Sequence, residues 1–196
     1  MAGSGGGPSE RSPSELSLTE RSRDRVDGWL ADFRGRYDGF DRVDVRWELS
    51  PDRYEADYQR VANGENGGAG IWVTNGEGSV LLVRDAGEDG WLDPGGKREA
   101  DESFEEAARR ETREETGVDC EITGLLEAHV LEIVAETDPD RPTLYSCIAI
   151  FTGEPVTDDP DPRAREGEIA AVEWFDAPPE TVGYPQVARR PFPGSE

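Results

Sequence analysis

The sequence predicts a sheet protein of the α/β or α+β class. Two observations lead there. Alternating, β-rich runs lie on both sides of one strongly amphipathic helix, an order that calls for a sheet covered by helices. The chain also has 196 residues, of which 34% are apolar. They fall in discrete periodic segments, enough to bury a core and unlike a disordered chain.

Residues 1–17 are rich in Gly, Ser, Pro and charge and read as a flexible tail. A helix follows from about Thr19 to Tyr37, with Val26, Trp29, Leu30 and Phe33 on one stripe. Val43, Val45, Trp47 and Leu49 then alternate with polar residues as a strand does. Pro51 suits the first turn of a second helix, which places Tyr54, Tyr58 and Val61 on one side. Residues 18–66 thus read as a small helix–strand–helix arm. Residues 67–182 read as the main domain and 183–196 as an aperiodic tail.

In the main domain, IWVTNGEGSVLLVRD reads as a hairpin turning at Asn75-Gly76. The loop AGEDGWLDPGG leads to an acidic helix. After Gly117 come three strand-like runs: VDCEITGLLEAHVLEIVAE, TLYSCIAIFTGE and EIAAVEWFDA.

The acidic helix has readable ends. Ser103 and Glu106 form a capping box, and Gly117 stands where a left-handed terminator belongs, so the helix spans about 104–116. At about 100° per residue, Ala107, Ala108 and Thr112 share the inward face with Phe104. Glu111 and Glu115 fall on that same face, and Glu114 lies at its edge. Glu105, Glu106, Arg109 and Arg113 point away. A merely solvated face would place its carboxylates opposite the apolar stripe. Carboxylates at i, i+3 and i+4 that enter the protein repel one another and lose hydration, so they call for a cation. Oxygen donors suit Mg2+ or Mn2+. The single histidine, His129, sits in an apolar run, reads as a core residue and argues against zinc.

These residues resemble the Nudix box, G-x5-E-x7-R-E-U-x-E-E-x-G-U, where U is bulky and aliphatic. Gly96, Glu102, Arg110, Glu111, Glu114, Glu115, Gly117 and Val118 match in type and spacing, and Thr112 departs from a U position. The flanking strands, GWLDPGG and VEWFDAPPE extend the resemblance over about 68–182. It implies an α/β/α sandwich around a mixed sheet. It also implies Mg2+- or Mn2+-dependent hydrolysis of a nucleoside diphosphate linked to another moiety. Carried over by position, Glu111, Glu114 and Glu115 are metal ligands with the Gly96 carbonyl, and Glu102 pairs with Arg110. The general base is Glu168, Glu115 or Glu111. Glu166 and Glu168 share a loop before the last strand, and Glu168 is preferred there. Trp91, before the PGG turn, is a substrate-binding or core residue, and Arg84 joins it as a substrate-binding candidate. The competing functions are a non-catalytic nucleotide-binding or regulatory module of the same fold and, less favoured, an isopentenyl diphosphate isomerase. Substrate markers fail: the positions sixteen and seventeen residues past the box hold Val134 and Ala135, and Pro139 and Tyr145 are displaced.

Charge narrows the partners. The net charge is −23, from 44 acids against 21 bases, and Lys97 is the only lysine. An acidic, lysine-poor surface resembles that of proteins from salt-loving organisms. At molar salt the Debye length is about 3 Å, which suppresses self-repulsion. The partner expected is a small nucleotide rather than a nucleic acid. No apolar run reaches membrane-spanning length, and a cytoplasmic location is expected. Cys120 and Cys147 read as reduced core residues. The arm is a candidate for building a homodimer.

Overall fold

A computed structural model describes residues 17–157, 163 and 165–193. The expected 1–17 tail therefore lies almost wholly outside the described residues. Three helices and seven strands follow in order: α1 Leu18–Arg36, β1 Asp41–Leu49, α2 Pro51–Asn63, β2 Gly68–Thr74, β3 Val80–Asp85, β4 Gly95–Lys97, α3 Phe104–Thr116, β5 Cys120–Ala135, β6 Leu144–Pro155 and β7 Ile169–Phe175.

The strands form one mixed sheet ordered β1-β5-β6-β2-β3-β7, with β4 paired to β2. β1 runs parallel to β5 and β2 parallel to β6, while the other pairings are antiparallel. Side chains of β6 show how the period of two divides the core. Cys147, Ala149 and Phe151 join Val26, Leu30 and Phe33 of α1 and Phe104, Ala107 and Ala108 of α3 on one face. Ile148 and Ile150 point the other way, toward α2 and the C-terminal segment. This is the α/β class that the pattern predicts and the sandwich around a mixed sheet that the resemblance implies.

Local chemistry explains the helix ends. Ser17 and Ser103 both make full capping boxes, with Glu20 and Glu106. Each such cap contributes about 1 kcal/mol. Gly64 and Gly117 close α2 and α3 at φ 81° and 73°, where a side chain would strain the backbone.

Several expectations are corrected. The front section is no separate arm: β1 pairs with β5 over nine consecutive residues, and α1 packs against the same apolar cluster as α3. The segment after Val182 is no loose tail, since Val187, Arg190 and Phe192 are buried. It lacks helical or strand periodicity because it follows the sheet as turns. The hairpin turn is five residues long rather than centred on Asn75-Gly76. The Asn75 side chain accepts from the N–H groups of Glu77 and Ser79, and Gly78 takes φ 87°. Glu105 does not point to solvent; Tyr37 and Arg36 hold it against α1. Cys120 and Cys147 are free and buried, and burial pushes both thiols up to about 12. His129 is buried and hydrogen-bonded to Glu127 at 2.6 Å. Among the described residues, no helix is long and apolar enough to cross a membrane.

Candidate active site

The site begins where β4 runs close against β2. A Cβ at Gly95 would lie 2.6 Å from the Ala69 carbonyl, and one at Gly68 would lie 2.8 Å from the Gly96 carbonyl. Only glycine permits that approach. It brings the 95–97 segment alongside α3. The Gly95 N–H then donates to Glu115 Oε2 at 2.9 Å, tying the loop to the helix. At Gly96 a Cβ would meet Glu111 Cδ at 2.5 Å, so the Glu111 carboxylate rests directly on the glycine Cα.

Arg110 orders the same corner. Its Nε and Nη2 each donate to Glu102 at 2.8 Å, a bidentate pair, and Nη2 also reaches the Lys97 carbonyl at 3.0 Å. Its Nη1 donates to Glu111 Oε1 at 2.8 Å. The Arg110 hydrogen bonds hold the Glu102 carboxyl below its ordinary range. The Glu102–Arg110 pair staples the approach loop to the middle of α3.

Glu115 is the buried member of the trio, at 8% exposure. Burial pushes its carboxyl up to about 8; the Gly95 N–H opposes this, while Glu111, Asp85 and Glu168 add to it. Asp85 is raised too, by burial and then by Glu168 and Glu88. Glu115 thus feels the charge of carboxylates from α3, the end of β3 and the loop before β7. Glu114 is half-exposed and pairs with Arg165 Nη1 at 3.1 Å, which also reaches Glu168 Oε2 at 3.1 Å.

Sequence reasoning missed Asp85 and Arg165. Asp85 follows a register shift between β3 and β7, so alternation along VLLVRD does not reveal its direction. Arg165 comes from a charged loop with no period to read. Its position is fixed by its own N–H, which donates to the Glu115 carbonyl at 3.1 Å. The structure does bring Arg84 and Trp91 together, with the guanidinium 5.5 Å from the indole centroid. Trp91 also packs edge-on against Phe175 at 4.7 Å, giving it a core role as well.

The donor set is all oxygen, which fits a hard divalent cation and excludes a thiolate site. Among the described residues, no three His, Cys, Asp or Glu side chains converge as they stand into a set that would hold a metal ion. The reason is visible: Glu111 turns to Arg110, Glu114 to Arg165 and Glu115 to the Gly95 N–H. Glu111, Glu114 and Glu115 share little more than one helical turn.

Known proteins place this geometry in context. The NUDIX domain family matches residues 65–182. An RNA pyrophosphohydrolase from Halorhodospira halophila (strain DSM 244 / SL1) is 53% identical over 49 residues, which span 25% of this chain and 27% of that relative. A NUDIX hydrolase from Nitrosomonas europaea is 26% identical over 56% of this chain and 71% of that chain, with a TM-score of 0.43. A MutT NUDIX hydrolase from Burkholderia pseudomallei is 24% identical over 63% and 94%, with a TM-score of 0.47. The family match covers more than half of the sequence, including the whole loop–helix corner built by Gly96, Glu102, Arg110 and Glu115, and the chain belongs to the NUDIX domain family.

Proposed function

We propose that this protein hydrolyses the diphosphate bond of a nucleoside diphosphate linked to another moiety. In this reading Glu111, Glu114, Glu115 and the Gly96 carbonyl hold Mg2+ or Mn2+. Hydrolysis of a phosphoric anhydride is the reaction class that family membership supports; the ion and the substrate are our reading. Glu115 carries it. A buried carboxyl pushed up to about 8, with Glu111, Asp85 and Glu168 around it, is costly unless a cation offsets it.

When bound, a divalent ion neutralises phosphate oxygens and lowers the pKa of its water. The chain's own groups supply position. Arg110 fixes Glu111 and Glu102, and the Gly95 N–H fixes Glu115. Glu168, at the loop mouth beside Arg165, is the group we assign to accept the water proton at its carboxylate oxygen, with Glu115 and Glu111 as alternatives. Arg84 stacked on Trp91 offers a cation and a ring edge to the nucleotide part. The net charge of −23 favours small nucleotides over long polyanions.

The test is a substrate panel on purified protein in molar KCl with Mg2+ or Mn2+. It includes ADP-ribose, a dinucleoside polyphosphate, coenzyme A, a nucleotide sugar and a 5′-triphosphorylated RNA. Metal-dependent release of a nucleoside monophosphate is expected. Tight binding of a nucleotide without turnover of any member would favour the non-catalytic module instead.

A further inference from the structure

The edge of the sheet formed by β1 is built to pair with itself. β1 ends the strand order and is bonded on one side only, to β5, through nine registers without a bulge. Among the described residues no strand lies on its other side. The Leu49 carbonyl accepts from the Glu136 N–H on the β5 side at 2.9 Å. Backbone groups alternate along a strand, so Arg42, Asp44, Arg46 and Glu48 turn their N–H and C=O groups to the open edge.

The side chains on this edge are ordered in sign. Arg42, Asp44, Arg46 and Glu48 are exposed on one face. Val43, Val45 and Trp47 lie on the other, and Trp47 is 39% exposed, one of two large apolar side chains left so open among the described residues. Place a second copy antiparallel across a twofold axis at Val45. Arg42 then faces Glu48 of the copy and Asp44 faces Arg46, and each pair occurs twice by symmetry. On the other face Val43 meets Trp47, and Val45 meets itself. These apolar pairs fall at the non-hydrogen-bonded positions, where side chains approach most closely.

The charges also select this register. Centring the pair on Asp44 sets Asp44 against itself and Arg42 against Arg46. Centring it on Arg46 sets Arg46 against itself and Asp44 against Glu48. Edges that stay single are blunted by proline, bulges or charged side chains, so the charges on β1 permit a second copy only where their signs match. β1 has neither proline nor bulge, and its charges form four opposite-sign pairs when centred on Val45, against two when centred on Val43 or on Trp47. The Arg42–Asp44 and Arg46–Glu48 pairs within one chain are solvent-exposed, and Arg46 also pairs with Glu132 of β5, itself part-exposed, so cross-strand partners exchange with or add to contacts that lie in solvent.

We propose that two copies of this chain associate through antiparallel β1–β1 pairing centred on Val45, joining two seven-stranded sheets into one. The interface is isologous, as a twofold dimer requires. It lies at the end of the sheet, three positions from β2, against which α3 packs, so it leaves the Glu111–Glu115 corner open.

Sedimentation equilibrium on the full chain, at 0.15 M and at molar KCl, tests this. The expected mass is twice the 21.5 kDa of one chain. Asp44→Arg alone and Arg46→Glu alone each set like charges face to face, and each should raise the dimer Kd on the order of tenfold or more. The double variant D44R/R46E restores opposite charges and should restore the dimer. The swap R42E/E48R should behave the same way, and each double variant must fold as well as pair, which covers a single variant that fails to fold. A wild-type chain that stays monomeric at all concentrations overturns the proposal. So does a dimer indifferent to the single reversals, or a double variant that folds without regaining it.

Discussion

Arg190 and Asp93 lie 97 residues apart in sequence, yet Arg190 Nη1 donates to Asp93 Oδ1 at 2.7 Å in the protein interior. Arg190 Nη2 also reaches Glu127 Oε2 at 2.7 Å, and Tyr184 hydrogen-bonds Asp93. One guanidinium thus seals the C-terminal segment to β5 and to the loop that continues through Pro94 into Gly95 and Gly96. Arg190→Met leaves two buried carboxylates without their cation. The expected loss is about 3–5 kcal/mol. At about 2–4 °C per kcal/mol for a chain of this size, the melting temperature should fall by roughly 10 °C. A drop of only a degree or two would show that the segment is held by Val187 and Phe192 alone.

The same cluster sets an acid limit. Burial by itself would raise the Glu127 carboxyl, but His129 and Arg190 outweigh it and hold the group at about 2, below its ordinary 4.5. A carboxyl depressed on folding contributes stability that is complete above its unfolded value and lost as pH falls toward its folded one. That stability should therefore disappear between about pH 4.5 and 2. Denaturant melts at pH 5, 4 and 3 should show a steep fall for wild type and a shallower one for Glu127→Gln. Parallel curves would mean that other carboxylates, such as Glu102, dominate the acid limb.

Thr112 occupies the one box position that departs from the aliphatic pattern. It is fully buried, and its hydroxyl has no hydrogen-bond partner. A buried orphan hydroxyl costs about 1–3 kcal/mol. Thr112→Val keeps the branched shape and removes the cost, so it should raise the melting temperature by roughly 2–12 °C without loss of turnover. An unchanged or lower melting temperature would point to an ordered water on that oxygen.

Much of this architecture was readable because it is local. α3 was legible from Ser103, Glu106 and Gly117, whose caps act within one turn. The strands were legible from alternation, and the Glu102–Arg110 pair was implied by the resemblance of the box. What escaped depends on distant partners. Nothing near Arg190 in sequence announces Asp93 or Glu127. Val43 to Leu49 reads as a strand, but that it extends the sheet beside β5 is a matter of tertiary register. Asp85 sits past a bulge, where alternation does not reveal its direction. The orientation of Glu114 was hidden for a related reason, since its partner Arg165 comes from an aperiodic loop.

Salt should matter more than usual. A net charge of −23 repels itself across the whole surface. Raising KCl from 0.1 M to molar levels shortens the Debye length from about 10 Å to about 3 Å. The melting temperature should climb across that range. A melting temperature that stays flat or falls would remove the link between this surface and a salty environment.

Under the proposed function, Glu111, Glu114 and Glu115 of α3 hold a divalent ion. Manganese binding, followed by calorimetry or by the electron-spin signal of free Mn2+, reads this without any substrate. Wild type should bind Mn2+, and Glu115→Gln should weaken that binding at least tenfold while circular dichroism stays unchanged, in line with the usual cost of losing a ligand's support. Equal Mn2+ affinity in the two proteins, or none in wild type, would contradict the metal site and the hydrolytic reading built on it.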